Sequence, residues 1–246
     1  MDDLFLSEIR LEKPVPAEDY LAALPVVRHL RHTPLRFGGR VTLLVGENGV
    51  GKSTLVEAAA VGMGFNAEGG TRNFSFSTAE THSALYRYLN FVRGPYRPRD
   101  GFFLRAESFY NVASYVDAVD DGTLLRSYGG KSLHDQSHGE SFLSLVRSRF
   151  GGRGFYILDE PEAALSPASQ LELLAHIRRL ERDGSQLLIA THSPILMTYP
   201  GAELLEISVE GVRKADYRDT AHYQLTRRML ENPARMYRLL FEENGE

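Results

Sequence analysis

Cysteine is absent from the chain, which excludes disulfides, thiol catalysis and cysteine-type zinc sites together. Lysine is scarce: Lys13, Lys52, Lys131 and Lys214 are the only four among 28 basic residues. None of them follows an asparagine, so the Asn-Lys-x-Asp motif of guanine-nucleotide recognition is missing. No run approaches the roughly 18 apolar residues needed to cross a bilayer. The opening MDDLFLSEIR is acidic and has no apolar core, and it does not read as a signal peptide. Net charge is −4, which gives no bulk steering toward nucleic acid. These absences lead to the expectation of a soluble, cytoplasmic protein without a membrane segment of its own.

What is present fits one α/β domain spanning residues 1–246, with 43% hydrophobic and 24% charged residues, enough to bury a sizeable core. Three short apolar runs, Val41–Val45, Phe155–Leu158 and Leu187–Ala190, alternate with helical segments, the pattern of buried parallel strands with crossover helices. LFLSEIRL near the start alternates like a first strand. Between the second and third runs Ser166 can cap a helix, Pro167 suits its first turn, and Leu173, Leu174, Ile177 and Leu180 share one face before Gly184 stops it. Residues 67–144 are looser, with turns such as RGPYRPRDG, and read as an inserted arm. The tail predicts two helices broken near Pro233, with Leu225, Met229, Leu239 and Leu240 as packing residues.

Directly after the first buried run comes GENGVGKST, which matches G-x-x-x-x-G-K-[ST]. Gly46, Glu47, Asn48, Gly49, Val50 and Gly51 form a loop whose N–H groups can curl round a phosphate, and a helix N-terminus adds positive potential. Lys52 can reach the β- and γ-phosphates, the Ser53 hydroxyl can ligate Mg²⁺, and Thr54 continues the helix. The second run ends in Asp159 and Glu160, and ligand groups in open α/β sheets gather at the carboxyl ends of strands. Asp159 is placed to hold Mg²⁺ through water and Glu160 to polarise an attacking water. The third run ends in THS, with His192 a candidate sensor of the γ-phosphate.

These residues, in this order over most of the chain, resemble the ATP-binding-cassette (ABC) class of P-loop ATPases. GENGVGKST looks like its Walker A motif, YILDEP its Walker B with Glu160 as the catalytic acid, and THS its switch histidine. The resemblance implies an α/β P-loop fold with a mostly parallel central sheet, flanking helices, an N-terminal antiparallel β portion and a helical signature arm. It also places a signature motif at QSHGE, Gln136–Glu140, so that Ser137, His138, Gly139 and Glu140 would contact nucleotide. Departures are visible: His138 stands for the first signature glycine, Glu140 for glutamine, and Ser166 for an aspartate. No glutamine occurs between Thr54 and Leu133, and Glu107 is the nearest substitute as a metal contact. The closest likeness is to small stand-alone predicted ATPases related to the heads of chromosome-maintenance and recombination-repair ATPases.

The resemblance implies ATP and Mg²⁺ as cofactors and a homodimer closing on two ATP molecules as a switch for an unknown protein effector. Two alternatives use the same motifs. One is the nucleotide-binding subunit of a transporter. The other is a clamp acting on nucleic acid, for which Arg93, Arg97 and Arg99 around Tyr96, and Arg227, Arg228, Arg235 and Arg238, are the basic patches. The signature also has a local reading, since Ser137 and Glu140 have capping-box spacing before the apolar face of Phe142, Leu145 and Val146.

Overall fold

The computed structural model describes residues 3–67, 69–71, 83–107, 109 and 138–242. The three apolar runs become β3 (Val41–Val45), β6 (Gly154–Asp159) and β7 (Gln186–Ala190), and every residue in them is buried. They pair in parallel in the order β6-β7-β3. Outside them lie β5 (Asp100–Arg105) and β8 (Glu203–Ser208), also parallel, and β9 (Gly211–Lys214) closes one edge antiparallel to β8. A separate antiparallel sheet joins β1 (Leu6–Leu11), β2 (Leu35–Arg36) and β4 (Leu89–Arg93). This is the expected α/β architecture, a mostly parallel central sheet with an N-terminal antiparallel portion.

The unbroken hydrophobicity of the central strands follows from cover on both faces. Leu44, Ile157 and Leu188 point into a core shared with the antiparallel sheet, α1 (Pro25–Leu30) and α2 (Lys52–Gly62). Their neighbours Leu43, Tyr156 and Leu187 point into a second core under α3 (His138–Arg149), α4 (Pro167–Arg182) and α5 (Pro194–Met197). A buried amide ties the two sheets together: Gln186 Oε1 accepts from Phe5 N and Leu6 N at 2.8 and 3.0 Å, and its Nε2 donates to Leu6 O at 2.8 Å. All its hydrogen-bonding directions toward β1 are used, so the amide can be buried without an unpaired polar group. In α4 the expected cap is present, with Ser166 Oγ accepting from Ser169 N at 3.2 Å and Gly184 at φ 82° just past the end.

Two expectations change. Within the stretch 67–144 expected as an inserted arm, residues 89–105 supply β4 to one sheet and β5 to the other, so this part belongs to the body of the domain. The tail does break at Pro233, into α6 (Ala221–Glu231) and α7 (Pro233–Glu242). However, Leu225, Leu239 and Leu240 are not buried in a core: they are 60%, 53% and 55% exposed, and Met229 is half-buried. The body holds the start of α6, where buried Thr220 donates through Oγ1 to Met197 Sδ at 3.7 Å, and further along the apolar stripe of α6 meets α7, with Leu225, Met236 and Leu239 lining one groove between them.

Candidate functional site

The loop after β3 bends through glycines for steric reasons. Gly46 has φ 145°, and a Cβ there would sit 2.1 Å from Ile207 O; at Gly51, φ 98°, it would sit 2.6 Å from Val26 Cγ1. Gly51 is the N-cap of α2, has no side-chain cap, and no acidic residue occupies the first turn. The N–H groups at this helix start are therefore left for an anion. Lys52 is buried, and its Nζ donates to Gly46 O and Glu47 O at 2.8 and 2.9 Å, bridging its own loop. Burial lowers its pKa, and Glu160, Asp159, Glu47 and Glu162 act the other way. Glu47, Asn48 and Gly49 are exposed on the loop, Val50 is buried beneath it, and Thr54 follows in α2.

The parallel register brings the strand ends together. Ser53 Oγ donates to Asp159 Oδ1 at 3.1 Å. Arg105, opposite Asp159 in the β5–β6 pairing, donates through Nε to Asp159 Oδ2 at 3.0 Å and through a terminal nitrogen to Glu57 Oε2 at 3.0 Å. Burial raises the Asp159 pKa, while Arg105 and Ser53 oppose it. The residue expected near the metal in this segment was Glu107; it lies two positions beyond Arg105 and is exposed. Arg105 had a sequence signal in hindsight, being the polar end of the apolar strand GFFLR, but only the register shows that it faces Asp159.

Glu160 adopts φ 50°, ψ 50°, the left-handed region that non-glycine residues rarely occupy. Such strain gathers at functional positions. Its N–H donates to Ala190 O at 2.9 Å, which locks the turn against β7. His192 Nε2 lies 3.5 Å from Glu160 Oε1 and is buried without a hydrogen bond among the described residues. The backbone of His192 and Ser193 donates to Glu162 Oε1, and Ser193 Oγ donates to Gln170 Oε1, so the switch loop is pinned from α4 and from the turn after β6. Burial lowers the His192 pKa, with Lys52 and His222 adding to the effect and Glu160 opposing it.

A residue that sequence reasoning missed completes this group. His222, in the first turn of α6, places Nε2 3.1 Å from His192 Nδ1, with the rings 5.0 Å apart. A carboxylate beside Nε2 favours the His192 proton on that nitrogen, which leaves Nδ1 as acceptor and makes His222 the donor. Nothing local in TAHYQL distinguishes this histidine.

The signature is partly described. Gln136 and Ser137 lie outside the described residues, and with Ser137 the proposed capping box. His138 begins α3, and Gly139 packs so that a Cβ would meet Ala164 O at 3.1 Å. Glu140 is exposed in the first turn.

These residues fit a triphosphate and a hard cation. The uncapped helix start, the Lys52 ammonium and the orphan His192 Nε2 suit phosphate oxygens, and the Ser53 and Asp159 oxygens suit Mg²⁺. Arg105 already neutralises one Asp159 oxygen, so the metal would share that carboxylate with a fixed cation.

A family model described as "AAA domain, putative AbiEii toxin, Type IV TA system" matches residues 141–198, from α3 to α5. A "Putative ABC transporter ATP-binding protein" of Streptomyces avermitilis is 30% identical over 208 residues, covering 75% of this chain and 36% of that protein. The "Macrolide export ATP-binding/permease protein MacB" of Hahella chejuensis is 24% identical over 185 residues, covering 65% of this chain and 27% of that one. The chain thus spans about a third of the length of these relatives. Among solved structures, cbiO1 of Clostridium perfringens, part of the ABC transporter complex cbiONQ, superposes with a TM-score of 0.50 at 16% identity, covering 96% of this chain and 99% of that one.

Proposed function

The chain belongs to the ABC class of P-loop ATPases, and on that premise we propose that it binds Mg-ATP at the loop Gly46–Thr54 and hydrolyses it through Glu160. The observation that carries this reading is the convergence of buried Lys52, the Ser53–Asp159 pair, and Glu160 held at φ 50° within reach of His192. Ser53 and Asp159 would hold Mg²⁺, which when bound neutralises charge on the β- and γ-phosphates. The remaining work belongs to the chain. Loop N–H groups and Lys52 orient the phosphates, Glu160 draws a proton from the attacking water, and the His192 Nε2–H donates to the γ-phosphate.

The start of α3, His138 to Glu140, serves a second copy in this reading: it offers an anion-binding helix end to the nucleotide of the partner protomer, so that two ATP molecules close a homodimer. Hydrolysis then opens it, and the cycle acts as a switch. The variant Glu160→Gln should bind ATP, hydrolyse it slowly and elute as a dimer in saturating Mg-ATP; a monomer under those conditions sinks the sandwich.

A second reading, the nucleotide-binding subunit of a transporter, draws support from the relatives, which carry export or transport in their names. Isolation of the native protein bound to an integral-membrane partner would favour it over the stand-alone switch.

A further inference from the structure

At the opposite end of the central sheet from the candidate ATP site, five arginines line one cavity of about 740 Å³: Arg40, Arg97, Arg99, Arg153 and Arg182 with Tyr96 between them. Arg40 immediately precedes β3, Arg153 precedes β6, Arg99 precedes β5, and Arg182 ends α4 before β7. The carboxylates in the same lining are Asp3 and Asp183. Arg40 lies 3.6 Å from Asp3 and donates to Gly184 O at 2.9 Å; among the described residues the other four guanidinium groups form no ion pair. Five guanidinium groups against two carboxylates leave an excess of positive charge, and a bound anion relieves it.

The cluster is built rather than accidental. Arg153 is held at φ 55°, a left-handed conformation that residues other than glycine rarely adopt, with its N–H donating to Asp183 O and its carbonyl accepting from Arg99 N, both at 3.0 Å. The loops entering β5, β6 and β7 are therefore laced together through their backbones, which fixes where Arg99, Arg153 and Arg182 leave the chain. Tyr96 is 62% exposed between Pro95 and Pro98, presenting its ring to solvent. Tyr96 and Arg97 also line an adjoining cavity of about 470 Å³ that contains Arg93, so the basic surface runs on as a track.

We infer that this track binds the backbone of a single-stranded nucleic acid, with Tyr96 as a stacking platform. Guanidinium groups match phosphate oxygens in bidentate fashion. A groove that continues through two cavities suits a chain of phosphates better than one small anion. An exposed aromatic ring among the cations finds unstacked bases only on a single strand. The inference is independent of hydrolysis, since it rests on the other end of the sheet.

The test is fluorescence anisotropy with labelled oligodeoxythymidine of about 12 nucleotides, within the usual span of such sites, on the full chain. Binding should weaken linearly with log salt at a slope of about −2 to −4, as expected for three to five phosphate contacts on a single strand. Arg97→Glu with Arg182→Glu should weaken it at least about tenfold, and Tyr96→Ala about tenfold, with unchanged thermal melting. Lys52→Ala should abolish ATP binding and leave the oligonucleotide affinity unchanged, which separates failure here from failure of the ATPase reading. Oligonucleotide binding unaltered by the double charge reversal would overturn the inference. So would tighter binding of a matched duplex, or tighter binding of polyglutamate, which would assign the track to double strands or to an acidic protein segment.

Discussion

The two ends of the central sheet carry charge in opposite ways. At the carboxyl ends of β3, β5, β6 and β7, cations and carboxylates interlock: Lys52 stands among four acids, and Arg105 bridges Asp159 and Glu57. At the amino ends the lining arginines outnumber the acids; beside them Asp100 accepts from Tyr156 Oη, Arg149 and Gly151 N, and Asp3 lies 3.6 Å from Arg40. A mixed end can hold a metal and a phosphate and manage a proton. A basic end can only hold an anion. In the reading proposed above the same strands serve chemistry on one side and adhesion on the other, and among the described residues the two non-glycine residues at positive φ, Glu160 and Arg153, fall one at each end.

Removing the interlock should cost most. Arg105→Ala strands Glu57 and Asp159, both nearly buried, without their shared cation. Stability measured by urea unfolding should fall by about 3–5 kcal/mol. A loss under 1 kcal/mol would mean that the carboxyl end is no more interlocked than the amino end.

Asp100 sharpens the contrast from the other side. Burial alone would raise its pKa, but Tyr156, Arg149 and the Gly151 N–H outweigh it and hold the carboxyl below the usual range. A group with a depressed native pKa contributes stability above its unfolded pKa and loses it as pH falls through the native value. Asp100→Asn should therefore lower stability by about 1.5–3 kcal/mol at pH 7 and flatten the acid limb of a stability–pH curve. An acid limb as steep as in the parent chain would remove Asp100 from this role.

The smallest effect concerns His222. If it fixes the His192 proton on Nε2, His222→Ala should lower turnover about tenfold and shift the His192 ring nitrogen signals toward mixed tautomers. His222→Gln, which still donates, should restore both. Equal loss in both variants would make the contact merely structural.

Much of this was legible in the sequence, for physical reasons. Doubly covered strands must be apolar throughout, so β3, β6 and β7 showed themselves, and a phosphate loop needs its glycines and lysine at fixed spacing. Strand ends then located Asp159, Glu160 and His192. What stayed hidden depends on register and distance. Arg105 faces Asp159 only because β5 lies beside β6, Gln186 meets Leu6 180 positions away, and His222 reaches His192 because Thr220 anchors α6. The tail misled for a related reason: an amphipathic pattern shows that a helix has an apolar face and does not show that this chain covers it.

The most direct test of the central claim is phosphate release by the parent chain and by Glu160→Gln, with ATP binding measured on the same samples. Unchanged ATP affinity with release slowed about 100- to 10,000-fold is the predicted result. Release at the parent rate with intact binding would contradict the assignment of Glu160 as the group that activates water.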